Sequence, residues 1–109
     1  MRKTKKLTIE GLGDIEVKEL TAAQVEELMR ADMAERPFYV MEALLNRPLL
    51  IEAVSLSTGI STERLNGEIT PSAAEAIWKA AEEVNGFLSR LMERLRDAMG
   101  DASPTKPEQ

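Results

Sequence analysis

The sequence predicts an α+β fold, a small N-terminal β-hairpin packed on about four to five α-helices with the C-terminal helix the longest. Three observations carry this. Two short runs near the start alternate polar and apolar residues on either side of a glycine-rich break. The remainder carries helix-spaced apolar residues between cap signals. Finally, 109 residues at 43% hydrophobic and 30% charged make one domain able to close a single core. The expected division is a basic flexible start over residues 1–6, one domain over 7–100, and a disordered tail over 101–109 that holds two prolines and little apolar surface.

Residues 1–6 contain Arg2, Lys3, Lys5 and Lys6 and no acid, which reads as a solvated basic tail. An arm for nucleic acid or an acidic partner is the other reading. Next, Lys6-Leu7-Thr8-Ile9-Glu10 and Asp14-Ile15-Glu16-Val17-Lys18 each put two apolar residues on one face. Gly11-Leu12-Gly13 between them supplies the turn. A lone hairpin is marginal in water, so its apolar face must cover something.

Thr21-Ala22-Ala23-Gln24 has capping-box spacing, and Leu20 and Val25 stand at the two staple positions. Ala22, Val25, Leu28, Met29 and Met33 then share a helical face, and the helix must stop before Pro37. Two dense apolar stretches follow, 38–45 and 49–56, with Asn46-Arg47-Pro48 between them. They read as two short helices with Pro48 in the first turn of the second; one Pro48-kinked helix is the alternative. Gly59 is free to take a left-handed cap, and Ser61 or Thr62 can start a short turn through Leu65.

The last helix is the clearest. Thr70 is an N-cap and Pro71 sits at the first helical position. Ile77, Ala81, Val84, Leu88, Leu91, Leu95 and Ala98 recur at alternating steps of four and three, a coiled-coil-like seam that Trp78, Met92 and Met99 widen. Gly86 is the weak point, at ~1 kcal/mol relative to Ala, and a bend near Asn85-Gly86 is expected. Trp78, Phe87, Leu88, Leu91, Met92 and Leu95 are the candidate partner-binding residues. Beyond Gly86 the stripe must be covered by another copy, by a partner, or by folding back onto the helical middle.

Composition excludes much chemistry. There is no cysteine and no histidine, which removes disulfides, thiolate metal sites, the usual general base and every Ser/His or Cys/His pair. Glu26/Glu27 and Glu82/Glu83 are adjacent on helices, so the members of each pair diverge by about 100°. No glycine-rich phosphate loop and no EF-hand pattern is present. The chain therefore reads as non-enzymatic, with no metal and no cofactor. No apolar run approaches the ~20 residues of a membrane span, and no apolar core follows Met1-Arg2-Lys3 as a signal peptide would need. A reducing cytoplasm is the expected compartment.

The formal charge of −5 disfavours duplex DNA. Residues 52–65 nonetheless resemble a helix-turn-helix: a helix, Gly59, Ile60, then a second helix starting at a Ser/Thr cap. That second helix offers Arg64 alone, beside Glu63 and Glu68, and a base-reading helix needs more cationic and amide side chains.

Several short motifs stand in order: Glu19-Leu20-Thr21 after the hairpin, Ser57-Thr58-Gly59-Ile60-Ser61-Thr62-Glu63-Arg64-Leu65, Ile69-Thr70-Pro71-Ser72, and Glu83-Val84-Asn85-Gly86-Phe87-Leu88. Over residues 7–95 the chain resembles the tail assembly chaperones of long-tailed bacteriophages and their prophages. The sequence departs from their pattern at Leu88, where a second aromatic is usual, and in carrying Gly86. The resemblance implies a helper in the host bacterial cytoplasm that binds the long helical tape measure protein before tail tube subunits polymerise around it. Tail tube protein is a possible second partner and a homo-oligomer a possible form. A broad Met-containing apolar stripe with an acidic solvent face is compatible with docking amphipathic helices. A small helix-turn-helix regulator is the alternative.

Overall fold

A computed structural model describes the backbone of residues 2–31 and 35–101, and side chains as far as residue 98. Strands β1 (Thr4–Ile9) and β2 (Gly13–Lys18) pair antiparallel, with Leu7 opposite Ile15 and Lys5 opposite Val17. That register puts Ile9, Ile15 and Val17 on one face, all buried. The turn needs left-handed backbone at Gly11 (φ 90°) and Gly13 (φ 80°), which is why glycines stand there. The sheet starts earlier than the sequence boundary at residue 7. The Glu19 amide donates to the Lys3 carbonyl at 2.8 Å, and Arg2 Nε donates to the Glu19 carbonyl at 2.8 Å. The basic start is thus strand backbone with solvated side chains, because pairing with the exit of β2 satisfies its peptide groups.

Helix α1 (Ala22–Arg30) opens with the expected capping box: Thr21 Oγ1 accepts from the Gln24 amide at 3.2 Å, and Gln24 Oε1 accepts from the Thr21 amide at 2.9 Å. It closes at Ala31, well ahead of Pro37; Met33 lies outside the described residues. The two apolar stretches are two helices, α2 (Val40–Leu45) and α3 (Ile51–Thr58). Pro48 is not in the first turn of α3. Leu50 is the N-cap, and Glu42 Oε2 accepts from the Ile51 amide at 2.6 Å. A carboxylate from α2 so takes one of the donors that a helix start leaves open. Arg36 clamps the same region. It donates to Glu42 at 2.5 Å and to Glu52 at 2.7 and 3.0 Å, tying the segment before α2 to both helices. Gly59 caps α3 at φ 81°, and α4 (Thr62–Gly67) starts at Ser61, whose Oγ accepts from the Arg64 amide.

The expected long helix is two. Helix α5 (Pro71–Val84) starts at Thr70 as predicted, and α6 (Gly86–Asp101) follows after a break at Asn85. The described residues thus hold a hairpin and six helices, the α+β fold expected, with the last helix divided at the bend. Asp101, assigned to the tail from sequence, belongs to α6; residues 102–109 lie outside the described part. The cause of the break is Asn85, not Gly86. Asn85 leaves helical geometry (φ −113°, ψ 49°), and its buried side chain is held on every side. Nδ2 donates to the Ala81 carbonyl at 2.8 Å and to Ser57 Oγ at 3.3 Å, and Oδ1 accepts from the Leu20 amide at 2.7 Å. Ser57 in turn donates to the Lys18 carbonyl at 2.5 Å. One buried polar cluster joins the end of β2, the start of α1, α3 and the bend, and every member has a partner.

Helix α5 is the centre of the core. Ala74, Ile77, Trp78, Ala80, Ala81 and Val84 are buried, with Val17, Leu49, Ile51, Val54 and Leu65 from the surrounding elements. Fully burying each large apolar side chain is worth about 1.5–3 kcal/mol, so this helix organises most of the fold's stability.

Candidate partner-binding surface

The six candidate residues separate into two groups. Trp78 is 1% exposed and its Nε1 donates to the Leu49 carbonyl at 3.0 Å. A buried indole with its one donor satisfied is core, and Trp78 is removed from any contact surface. Leu88 and Met92 are also buried, at 5% and 6%, because α6 bends back at Asn85 and lays that side on the molecule. Phe87 (74% exposed) and Leu95 (45%) face outward, and Leu91 is half-buried between them. Folding back thus covers one side of the stripe and leaves the other open.

The open side borders α1. A depression of about 300 Å³ is lined by Leu20, Ala22, Val25, Phe87, Leu88 and Leu91. A second, of about 410 Å³, is lined by Met29, Pro48, Leu50, Met92 and Leu95, with Arg36 and Arg96 at its edge. Successive turns of α1 stand opposite successive turns of α6: Ala22 and Val25 across from Phe87 and Leu91, then Met29 across from Met92 and Leu95. Both depressions are shared by α1 and α6 and together make an apolar channel, with Leu88 lining one part and Met92, Pro48 and Leu50 the other. Two methionines, flexible and polarizable, lend this surface the adaptability of a promiscuous helix groove.

The sequence placed Val25 and Met29 on one apolar face of the helix with Leu28. Met29 is 37% exposed. Its place on the channel depends on where α6 lies after the bend, so periodicity within α1 could not report it. A further apolar patch, Phe38, Val40 and Leu44, stands exposed on and just before α2.

The other candidates are engaged in the fold. Glu82 takes a fork of hydrogen bonds from Arg47 at 2.8–3.1 Å, and Glu83 pairs with Lys5 at 2.6 Å. Arg47 is held above the ordinary arginine value, chiefly by its hydrogen bond to Glu82. For Arg36, burial works against the charge, but the hydrogen bonds and charges of Glu52 and Glu42 outweigh it and raise its pKa. Both guanidiniums stay charged at any working pH. Among the described residues, no group of three or more acidic or metal-ligating side chains converges. Helices α3 and α4 do form a helix–turn–helix unit around Gly59, with Ile60 and Leu65 turned into the core. The exposed side of α4 presents Glu63, Arg64 and Glu68, and Arg64 Nε donates to Glu68 at 3.3 Å. That face is net acidic. Among the described residues, no helix is long and apolar enough to cross a membrane. No family model, curated protein or solved structure matches the chain.

Proposed function

We propose that this chain is a non-enzymatic tail assembly chaperone of a long-tailed phage or prophage. It binds the tape measure protein in the host cytoplasm before tail tube subunits polymerise around it. The observation that carries this reading is the open apolar channel between α1 and α6. The core closes around α5 while Phe87, Leu95 and Met29 stay exposed, with Leu91 half-buried at its edge. Such a channel matches the apolar stripe of an amphipathic helix, the commonest feature of a long helical cargo. The resemblance of Glu83-Val84-Asn85 and Thr70-Pro71-Ser72 to the family's stretches supports the same reading, since these residues build the bend and the start of the central helix.

The test is co-expression with the tape measure protein encoded beside it. The expected result is a several-fold gain of tape measure protein in the soluble fraction, recovered in complex with this chain. No gain overturns the reading. The α3–Gly59–α4 unit favours a second reading, a small DNA-binding regulator. Duplex binding with a steep salt dependence would establish it, whereas the acidic outer face of α4 argues against it.

A further inference from the structure

We infer that the α1–α6 channel selects helices whose apolar stripe is flanked by carboxylates along the side facing α6. This rests on the chaperone reading only for the identity of the cargo. The channel's two rims differ in charge. On the α1 rim, Glu26 and Arg30 neutralise each other at 2.8 Å. On the α6 rim, Arg90 and Arg94 lie one turn apart, immediately beside the Phe87, Leu91 and Leu95 stripe. Arg90 stacks over the Phe87 ring at 5.0 Å, which fixes its guanidinium at the channel's mouth. Arg96 lines the far end and donates to Asn46 Oδ1. Glu93 and Asp97 share a face that lies farther round α6 from the stripe than Arg90 and Arg94. The charged side chains nearest the stripe on this rim are therefore both cationic, on a chain whose formal charge is −5.

The occupant's size follows from the same residues. Phe87 to Leu95 spans eight residues, about 12 Å at 1.5 Å per residue. That accommodates two turns of a partner helix, with three apolar anchors at helical spacing. A second copy of this chain meets this requirement poorly, because its own exposed apolar helix stripe, Phe87 to Leu95, carries the same two arginines and like charges would face each other.

Two synthetic helical peptides with one leucine stripe test the inference, one flanked by glutamate and the other by lysine. Binding to the full chain is followed by fluorescence anisotropy, with amide chemical shifts locating the site. The expected result is roughly tenfold tighter binding of the glutamate peptide at low salt, narrowing as salt rises, with shifts confined to α1 and α6. The double variant Arg90→Glu/Arg94→Glu changes exposed side chains, keeps its helical circular dichroism, and inverts the preference. Equal binding of the two peptides, binding of neither, or shifts elsewhere overturns the inference. So does a concentration-dependent dimer that Leu91→Glu/Leu95→Glu abolishes, since a second copy would then fill the channel. If the charge-reversed variant still solubilises the tape measure protein as well as its parent, the channel assignment falls and the chaperone reading stands. If the preference inverts while the parent solubilises nothing, the reverse holds.

Discussion

Asn85 is one side chain that fixes the relation of four elements. It leaves α5, caps it, and accepts from the Leu20 amide, 65 residues away in sequence. Replacing it with alanine strands that buried amide and removes the bond Ser57 Oγ accepts, while Ser57 keeps its bond to the Lys18 carbonyl. The expected effect of Asn85→Ala is a loss of about 1–3 kcal/mol, the usual cost of an unsatisfied buried group, measured by urea unfolding. The sequence located a weak point at the Asn85-Gly86 pair but attributed it to glycine propensity. Propensity is a property of one position, and the role of Asn85 is written in Leu20 and Ser57, which no local pattern links to it. Trp78 shows the same limit. Its spacing placed it on the stripe, yet only the approach of the Leu49 carbonyl decides that its indole is interior.

At the scale of elements, local signals were legible and packing was not. The hairpin, the capping box at Thr21, the left-handed cap at Gly59 and the Thr70-Pro71 start each depend on residues a few positions apart, and each formed as read. The division of the α6 stripe into a buried and an open side depends on the bend, and so does the exposure of Met29. The bend itself gives a prediction. Gly86 opens α6 with no left-handed backbone, and a Cβ there would meet Arg90 Nη1 at an ordinary 3.5 Å. Gly86→Ala should therefore stabilise the protein by about 0.4–1 kcal/mol by restricting the unfolded chain. It should leave the break between α5 and α6 in place, since Asn85 makes it. Thermal unfolding reads the first outcome. Residual dipolar couplings read the second, and a straightened helix would refute the role given to Asn85.

Across the whole molecule, the closing contacts join the start of the chain to α5. Lys5 meets Glu83 across 78 residues, and β1 and β2 both pack on α5. The shorter helix α3 also packs on β2, but β1 rests on α5. A chain truncated after residue 70 should accordingly show no strand pairing and little helical circular dichroism. Retained protection of the Leu7 and Ile15 amides in that fragment would show that the hairpin stands alone.

The position of the hairpin also sets a schedule for synthesis. At about 5–20 residues per second, the ribosome makes β1 and β2 several seconds before α5 exists to receive them. During that interval two strand-forming segments with apolar side chains and unpaired backbone groups are offered to every other nascent chain nearby. Lys3, Lys5 and Lys6 stand on or beside the first of these segments, β1. Lysines there repel a second copy and blunt strand addition. A strand segment bearing these lysines is thus less open to strand addition while α5 is unmade, and in the folded protein Lys5 pairs with Glu83.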